Sequence, residues 1–491
     1  MPQSDQSPPT RPSATAAPRR INRGVLYFFG ALGGILFGYD LGVISGVLLF
    51  VNKQWSLGGV AQGFVGGSLA AGAMVGAALA WRLNDALGRR RTIMLAAAIF
   101  AVGTLGCTFA PGAVVLVLLR GVVGIAVGAC SATVPTYLAE LAPGRVRGAL
   151  ATLNQLMIVT GILAAYIIDW ALSGASEWRG MFAAGLVPAA VLLVGMAFMP
   201  ETPRWLLAAG REQEARDVLA RTRSAQEAEA EFASIARVEE LEPGRRGRLR
   251  DLAAPWIRPM VVVALILAVG QQFSGVNAIN VYAPTMFTAL GFGKSTSLLA
   301  SIVLGVAKVI FTAVVIFTVD RWGRKPLLLL GNVAMAATLL LLGIAVLEIH
   351  SQTAVGVTTL VLLIIYLAGY ELGWGAVVWV MMSEIFPLRT RGIGMGAASV
   401  VLWAATFAIT FAFPAMKSAW GLAHTAWIFA AVSVVLFVLV KLFVPETKGR
   451  SLEQIELDLR AGTGSRGTAA AAAGAGSASD AETGVSADAG A

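Results

Sequence analysis

The chain has 491 residues, 57% of them apolar and only 13% charged, with a mean hydropathy of +0.75. A soluble domain carries roughly 25% charged residues. These proportions exclude a soluble globular enzyme and a disordered chain, and the 55 glycines lack the three-residue period of a collagen-like fibre. The net charge of +9 invites a nucleic-acid partner until its distribution is read.

Residues 1–24 are polar and Pro-rich, without the apolar core and cleavage site of a secretion signal. Apolar stretches able to cross a ~30 Å hydrocarbon core follow near 25–50, 57–80, 92–110, 113–138, 149–172 and 179–199. Residues 200–256 form a long polar interruption, with amphipathic helical stretches from Glu212 to Leu219 and from Ala225 to Val238. Six further apolar stretches lie near 257–290, 297–319, 326–347, 357–382, 392–416 and 422–444. The first and seventh exceed one span and are expected to tilt or break. Residues 445–491 run into an Ala/Gly/Ser/Asp tail, expected to be disordered.

The expected fold is therefore an all-α membrane protein. Twelve transmembrane helices form two six-helix halves, 25–199 and 257–444, joined by a helical linker at 200–256 and flanked by terminal segments 1–24 and 445–491. All but six of the 37 Lys and Arg residues fall on the side of the bundle that bears the linker and both termini. Lys53, Arg179, Lys294 and Lys417 lie in opposite loops, and Arg120 and Lys308 lie inside spans. Positive charge marks the cytoplasmic side, so a multi-pass protein of the plasma (inner) membrane is expected, with both termini and the linker cytoplasmic. Topology then accounts for the basic excess and no nucleic acid is needed. Cys107 and Cys130 sit in apolar runs, and His350 and His424 stand alone, so no metal site is expected.

Three short patterns recur in both halves. Asp85-Ala-Leu-Gly-Arg89-Arg90 returns as Asp320-Arg-Trp-Gly-Arg324-Lys325 after 235 residues. Glu140-Leu-Ala-Pro-Gly-Arg145 returns as Glu384-Ile-Phe-Pro-Leu-Arg389 after 244, and Pro200-Glu201-Thr202 as Pro445-Glu446-Thr447 after 245. Their common order and nearly common offset argue for duplication. Two similar halves related by an axis along the membrane normal suit a secondary transporter that rocks around a midplane site. The acids Asp85, Asp320, Glu140 and Glu384 are expected to pair across the halves with Arg89, Arg324, Arg145 and Arg389, latching the linker side shut when the site faces out.

Two buried charges have matching depths. Asp40 lies ~22 Å along span one, and Arg120 ~10 Å along span four from the opposite side, at 1.5 Å per residue. A pair is possible, and making or breaking it would change the proton affinity of Asp40. This is the form of a proton-coupling device.

Gly38-Tyr39-Asp40-Leu-Gly-Val-Ile-Ser45-Gly46, Arg120, Pro200-Glu-Thr-Pro-Arg-Trp-Leu206, Gln271-Gln272-Phe-Ser-Gly-Val-Asn277 and Pro445-Glu-Thr-Lys-Gly-Arg450 together resemble the sugar porter family of the major facilitator superfamily. The resemblance covers about residues 25–455. It implies the major facilitator fold and import of a monosaccharide or polyol by proton symport, since an Asp at the position of Asp40 marks symporters. Neutral amides suit hydroxyls that both donate and accept. The resemblance assigns sugar contacts to Gln155, Gln271, Gln272 and Asn277, with Trp379 stacking and Phe37 as a further aromatic. Trp403 matches a span-eleven tryptophan near the site, and Glu371 a structural or gating acid. Lys308 stands where hexose carriers have Asn, as in polyol-carrying branches. A cation at that depth is by default functional. It either donates to substrate hydroxyls or pairs with Glu371, and an anionic sugar acid is a third substrate class.

Gly293-Lys294-Ser295-Thr296 looks like the end of a phosphate-binding loop, but Thr288 stands where that loop needs Gly. No nucleophile–base–orienter cluster is visible, so neither an enzyme nor a cofactor is expected beyond the proton as co-substrate. The chain is expected to act as a monomer. A sugar uniporter, a non-transporting sugar sensor and a drug or metabolite exporter are the rival readings.

Overall fold

In a computed structural model the chain is described over residues 22–142, 147–175, 177–241, 249–386 and 390–448. Helices occupy most of these residues, and no strand occurs among them. A bilayer offers backbone groups no water, so a spanning segment satisfies them within itself as a helix. In the first half, spans one to six are Gly24–Gln54, Gly59–Leu87, Arg89–Thr108, Ala113–Leu141, Thr152–Leu172 and Trp178–Phe198. Spans seven to ten are Arg258–Ala289, Lys294–Val315, Arg324–Glu348 and Gln352–Met382. The ribbon Arg391–Phe443 breaks at Gly421, whose φ of 76° and ψ of 172° leave the helix, and so supplies spans eleven and twelve. Large apolar side chains such as Val102, Phe198, Phe317 and Leu340 project outward, as they would into lipid.

The breaks position the site. Span seven consists of Arg258–Phe273 and Val276–Ala289, separated at Gly275 with a φ of 96°. Span ten passes from an α-helix through a π turn at Glu371–Gly375 into Val377–Ile385. Between the halves, helices Pro203–Ala208, Glu212–Thr222 and Ala225–Leu241 form a small packed group. Arg223 ties it to the bundle by donating to the Leu141 carbonyl at 2.9 Å.

The duplicated patterns form the same corner twice. Gly88 and Gly323 both have a φ of 91°, so each chain turns there in a conformation that side chains resist. Span three or nine then begins with unsatisfied backbone N–H groups. Glu201 accepts from the backbone N of Arg89 at 3.0 Å and of Arg90 at 3.1 Å. Glu446 accepts from those of Arg324 and Lys325, both at 3.0 Å. A carboxylate at a helix N-terminus is favoured by the helix dipole as well.

In the conformation seen, the corner charges pair within their own halves, and no latch across the halves forms among the described residues. Arg89 pairs with Glu140 at 3.0 Å and Arg324 with Glu384 at 3.1 Å, each within its own half. The repeat explains why: the glycine turn brings each arginine to the end of span four or ten in the same six-helix unit. Glu384 also accepts from Thr447 Oγ1 of its own half. Asp85 lies at the first corner, where its carbonyl accepts from Trp205 Nε1 at 3.0 Å. Arg145, Arg389 and the side chain of Asp320 lie outside what is described.

Candidate substrate and coupling site

Asp40 on span one and Arg120 on span four meet inside the first half. Arg120 Nη2 lies 3.2 Å from Asp40 Oδ2, and the two side chains are 0% and 3% exposed. Arg120 Nη1 also donates to Asp40 Oδ1 at 3.5 Å, so charge and a hydrogen bond act together. Arg120 Nε also donates to the Val65 carbonyl of span two at 3.1 Å. The guanidinium carbon lies 6.0 Å from the Phe182 ring centroid. The guanidinium is thus held by span two even if Asp40 loses its charge.

A continuous polar network occupies the break in span seven. Gln271 Nε2 donates to the carbonyls of Trp374 and Gly375 at 2.8 and 3.1 Å, groups presented by the π turn. Gln272 donates to Gln271 Oε1 at 3.0 Å, and Asn277 donates to Gln272 Oε1. Asn280 donates to Asn277 Oδ1 at 3.2 Å and accepts from Lys308 Nζ at 3.1 Å. Lys308 in turn lies 3.0 Å from Glu371 Oε1. Thr312 donates to Glu371 Oε2 at 3.1 Å, and Gln155 from the first half does so at 3.4 Å. Of the two roles open to Lys308, pairing with Glu371 is the one seen. Gln155, Gln271, Gln272, Asn277, Lys308 and Glu371 thus share one network that bridges the halves.

The aromatics form a neighbouring group. Phe37 and Trp379 line a small pocket with Ser131, Asn154 and Ile158, on the linker side of the bundle. Trp403 is 1% exposed and packs on Phe37 with ring centroids 4.9 Å apart. Its Nε1 donates to Ser131 Oγ at 3.1 Å, so it ties span eleven to span four as well. At the end away from the linker the halves are held together. Tyr282 Oη donates to Thr410 O at 2.8 Å and lies 3.3 Å from Gln62 O of the first half. Trp170 Nε1 donates to Ser295 Oγ at 3.3 Å, and Lys294 lies 4.6 Å from the Phe50 ring centroid.

Sequence reasoning passed over Asn280, Thr312, Glu201 and Glu446. Asn280 had a readable signal, lying three residues from Asn277 on the same face of an apolar helix. Glu201 and Glu446 were marked by their recurrence at one offset. Thr312 carried no signal, because hydroxyls inside spans usually bond back to their own helix, as Thr410 does to Thr406.

A family model described as "Sugar (and other) transporter" matches residues 26–459. The chain belongs to this family. It is a membrane transporter of the major facilitator fold, not an enzyme. The transporter is 44% identical over 442 residues to the putative metabolite transport protein YwtG of Bacillus subtilis, covering 90% of this chain and 96% of that one. It is 41% identical over 450 residues to a D-xylose transporter of Levilactobacillus brevis, covering 91% of this chain and 98% of that one. Among solved structures it resembles the proton:xylose symporter XylE bound to 6-bromo-6-deoxy-D-glucose. That match has a TM-score of 0.76 at 30% identity and covers 88% of this chain and 98% of the other.

Proposed function

We propose that this transporter imports a monosaccharide or polyol together with a proton, by alternating access between its two halves. The observation that carries the coupling is the buried Asp40–Arg120 pair. A proton arriving on Asp40 removes one charge of the pair and leaves Arg120 held by the Val65 carbonyl. Two protonation states of one buried site thereby favour different packing of spans one and four. A proton-coupled sugar symporter among its structural relatives supports symport over facilitated diffusion.

The sugar site is the amide network with the aromatic cavity beside it. Its amides satisfy one another here, and a sugar's hydroxyls would replace those bonds, while the rings of Phe37 and Trp379 would take its apolar faces. Lys308 and Glu371 add a charged donor and acceptor, which suits a substrate rich in hydroxyls. Gln155 on Glu371 places one wall of the site in each half, so a bound substrate would report to both. The bias of Lys and Arg supports cytoplasmic termini in the plasma membrane, so the far end faces outward and the conformation seen is closed on that side. A monomer contains every residue named. The corner charges Asp85, Arg89, Glu140, Asp320, Arg324 and Glu384 brace each half during rocking; Arg145 and Arg389 belong to the same recurring patterns.

The test is uptake by purified protein in liposomes, with and without an inward proton gradient, using radiolabelled xylose, glucose, fructose, myo-inositol and a linear polyol. Accumulation of one of them above equilibrium only with the gradient is the expected result. Equilibration alone would make the protein a uniporter, and no movement of any sugar would restore the sensor or exporter reading.

A further inference from the structure

Asp169 on span five belongs to neither the coupling pair nor the amide network. Its residue is 0% exposed. Oδ2 accepts from the backbone N of Gly46 on span one at 3.0 Å, and Oδ1 has no hydrogen-bond partner. The seam is built around this group: a Cβ on Gly46 would lie 2.4 Å from the Asp169 carboxyl carbon. Only a glycine on span one admits the side chain there.

No cation balances it among the described residues. Arg120 is engaged by Asp40 and Val65, and Lys308 by Glu371 and Asn280. Arg179 of span six donates to the Ala110 carbonyl and lies over the Trp178 ring, and Lys294 of span eight lies over Phe50. Tyr39 of span one and Tyr166 of span five are its titratable neighbours. Each gives its hydroxyl proton elsewhere, Tyr39 to the Met181 carbonyl at 2.6 Å and Tyr166 to the Asn280 carbonyl at 2.9 Å. A carboxylate buried without a cation is costly, and such a group takes up a proton instead. Gly46 is six residues beyond Asp40, which places Asp169 ~9 Å along span one from the coupling pair, toward the far end.

We propose that Asp169 is a second proton-binding carboxyl of this transporter, carrying its proton while the far end is closed. Arg120 is already engaged by Asp40 and the Val65 carbonyl, so an ionised Asp169 would stand without a counter-charge among the described residues. The protonation itself does not depend on sugar transport; its place in the transport cycle rests on the symport reading above.

The experiment is infrared spectroscopy of the full chain in lipid membranes at neutral pH, with no sugar present. The carbonyl stretch of a protonated carboxylic acid is followed in the wild type, in Asp169→Asn and in Asp40→Asn. The expected result is a band that Asp169→Asn abolishes and Asp40→Asn retains. Carbon-13 labelling of aspartate in the wild type shifts the band if it arises from an aspartic acid, which tests the proposal without any variant. Absence of a label-sensitive band in the wild type, or its survival in Asp169→Asn, would overturn the proposal whether or not any sugar is transported.

Discussion

Lys308→Met isolates the energetics of the network. The substitution removes the cation 3.0 Å from Glu371 Oε1 and leaves that carboxylate in a residue with 0% exposure. Truncating one partner of a buried ion pair costs about 3–5 kcal/mol, because the other charge stays buried. Thr312 and Gln155 still donate to Glu371, at 3.1 and 3.4 Å, which favours the lower end of that range. Losing the bond from Lys308 to Asn280 adds about 1 kcal/mol. Glu371→Gln alone strands the ammonium in the same way. The double variant Lys308→Met/Glu371→Gln removes both charges and is expected to recover most of the loss, since replacing a whole buried pair is often close to neutral. Unfolding free energies of the four proteins, from denaturing-detergent titrations in mixed micelles, give the coupling directly. Single losses of about 4 kcal/mol for Lys308→Met and about 3 kcal/mol for Glu371→Gln, against about 1 kcal/mol for the double variant, correspond to a coupling of about 6 kcal/mol in favour of the pair. Additive losses, with the double variant worse than either single one, would show that the two charges act separately and refute the pair as an energetic unit.

Asp40→Asn is expected to abolish accumulation against a gradient while sparing substrate exchange across the membrane, read by counterflow in liposomes; loss of both, or of neither, would remove the coupling argument. Gln272→Ala should weaken binding of the transported sugar by about 1–3 kcal/mol, since a buried sugar hydroxyl is left without its amide partner; isothermal titration with that sugar would expose an unchanged affinity. Glu201→Gln and Glu446→Gln should each lower the melting temperature, consistent with a loss of about 1 kcal/mol from a charged N-terminal cap. Equal falls are expected, because the two corners have the same geometry, and no fall in either would make the carboxylates incidental.

Fold and membrane class were legible because hydropathy is additive along the chain. Twelve apolar stretches of membrane length need no tertiary information to be counted, and duplication shows in Gly88 and Gly323 as repeated residues before it shows as repeated turns. The polar residues of the site stood out for the same reason: Asp40, Arg120, Gln271, Gln272, Asn277 and Lys308 interrupt runs that lipid or core would otherwise fill. Their partners were another matter. A sequence shows that Arg89 and Glu140 recur with Arg324 and Glu384, but not whether each arginine reaches its own half or the other one. That was decided by the helix turns at Gly88 and Gly323, which fix direction at a range of a few ångströms. The same holds for Lys308, whose pairing with Glu371 became visible only when the π turn of span ten carried that acid to within 3.0 Å of it. Asp169 drew no reading from the sequence, and its isolation emerged only when span one closed over it at Gly46. Burial of a residue type is a property of the chain and can be read from composition. Pairing of charges depends on distance and angle between segments far apart in sequence, and only the packed helices set those.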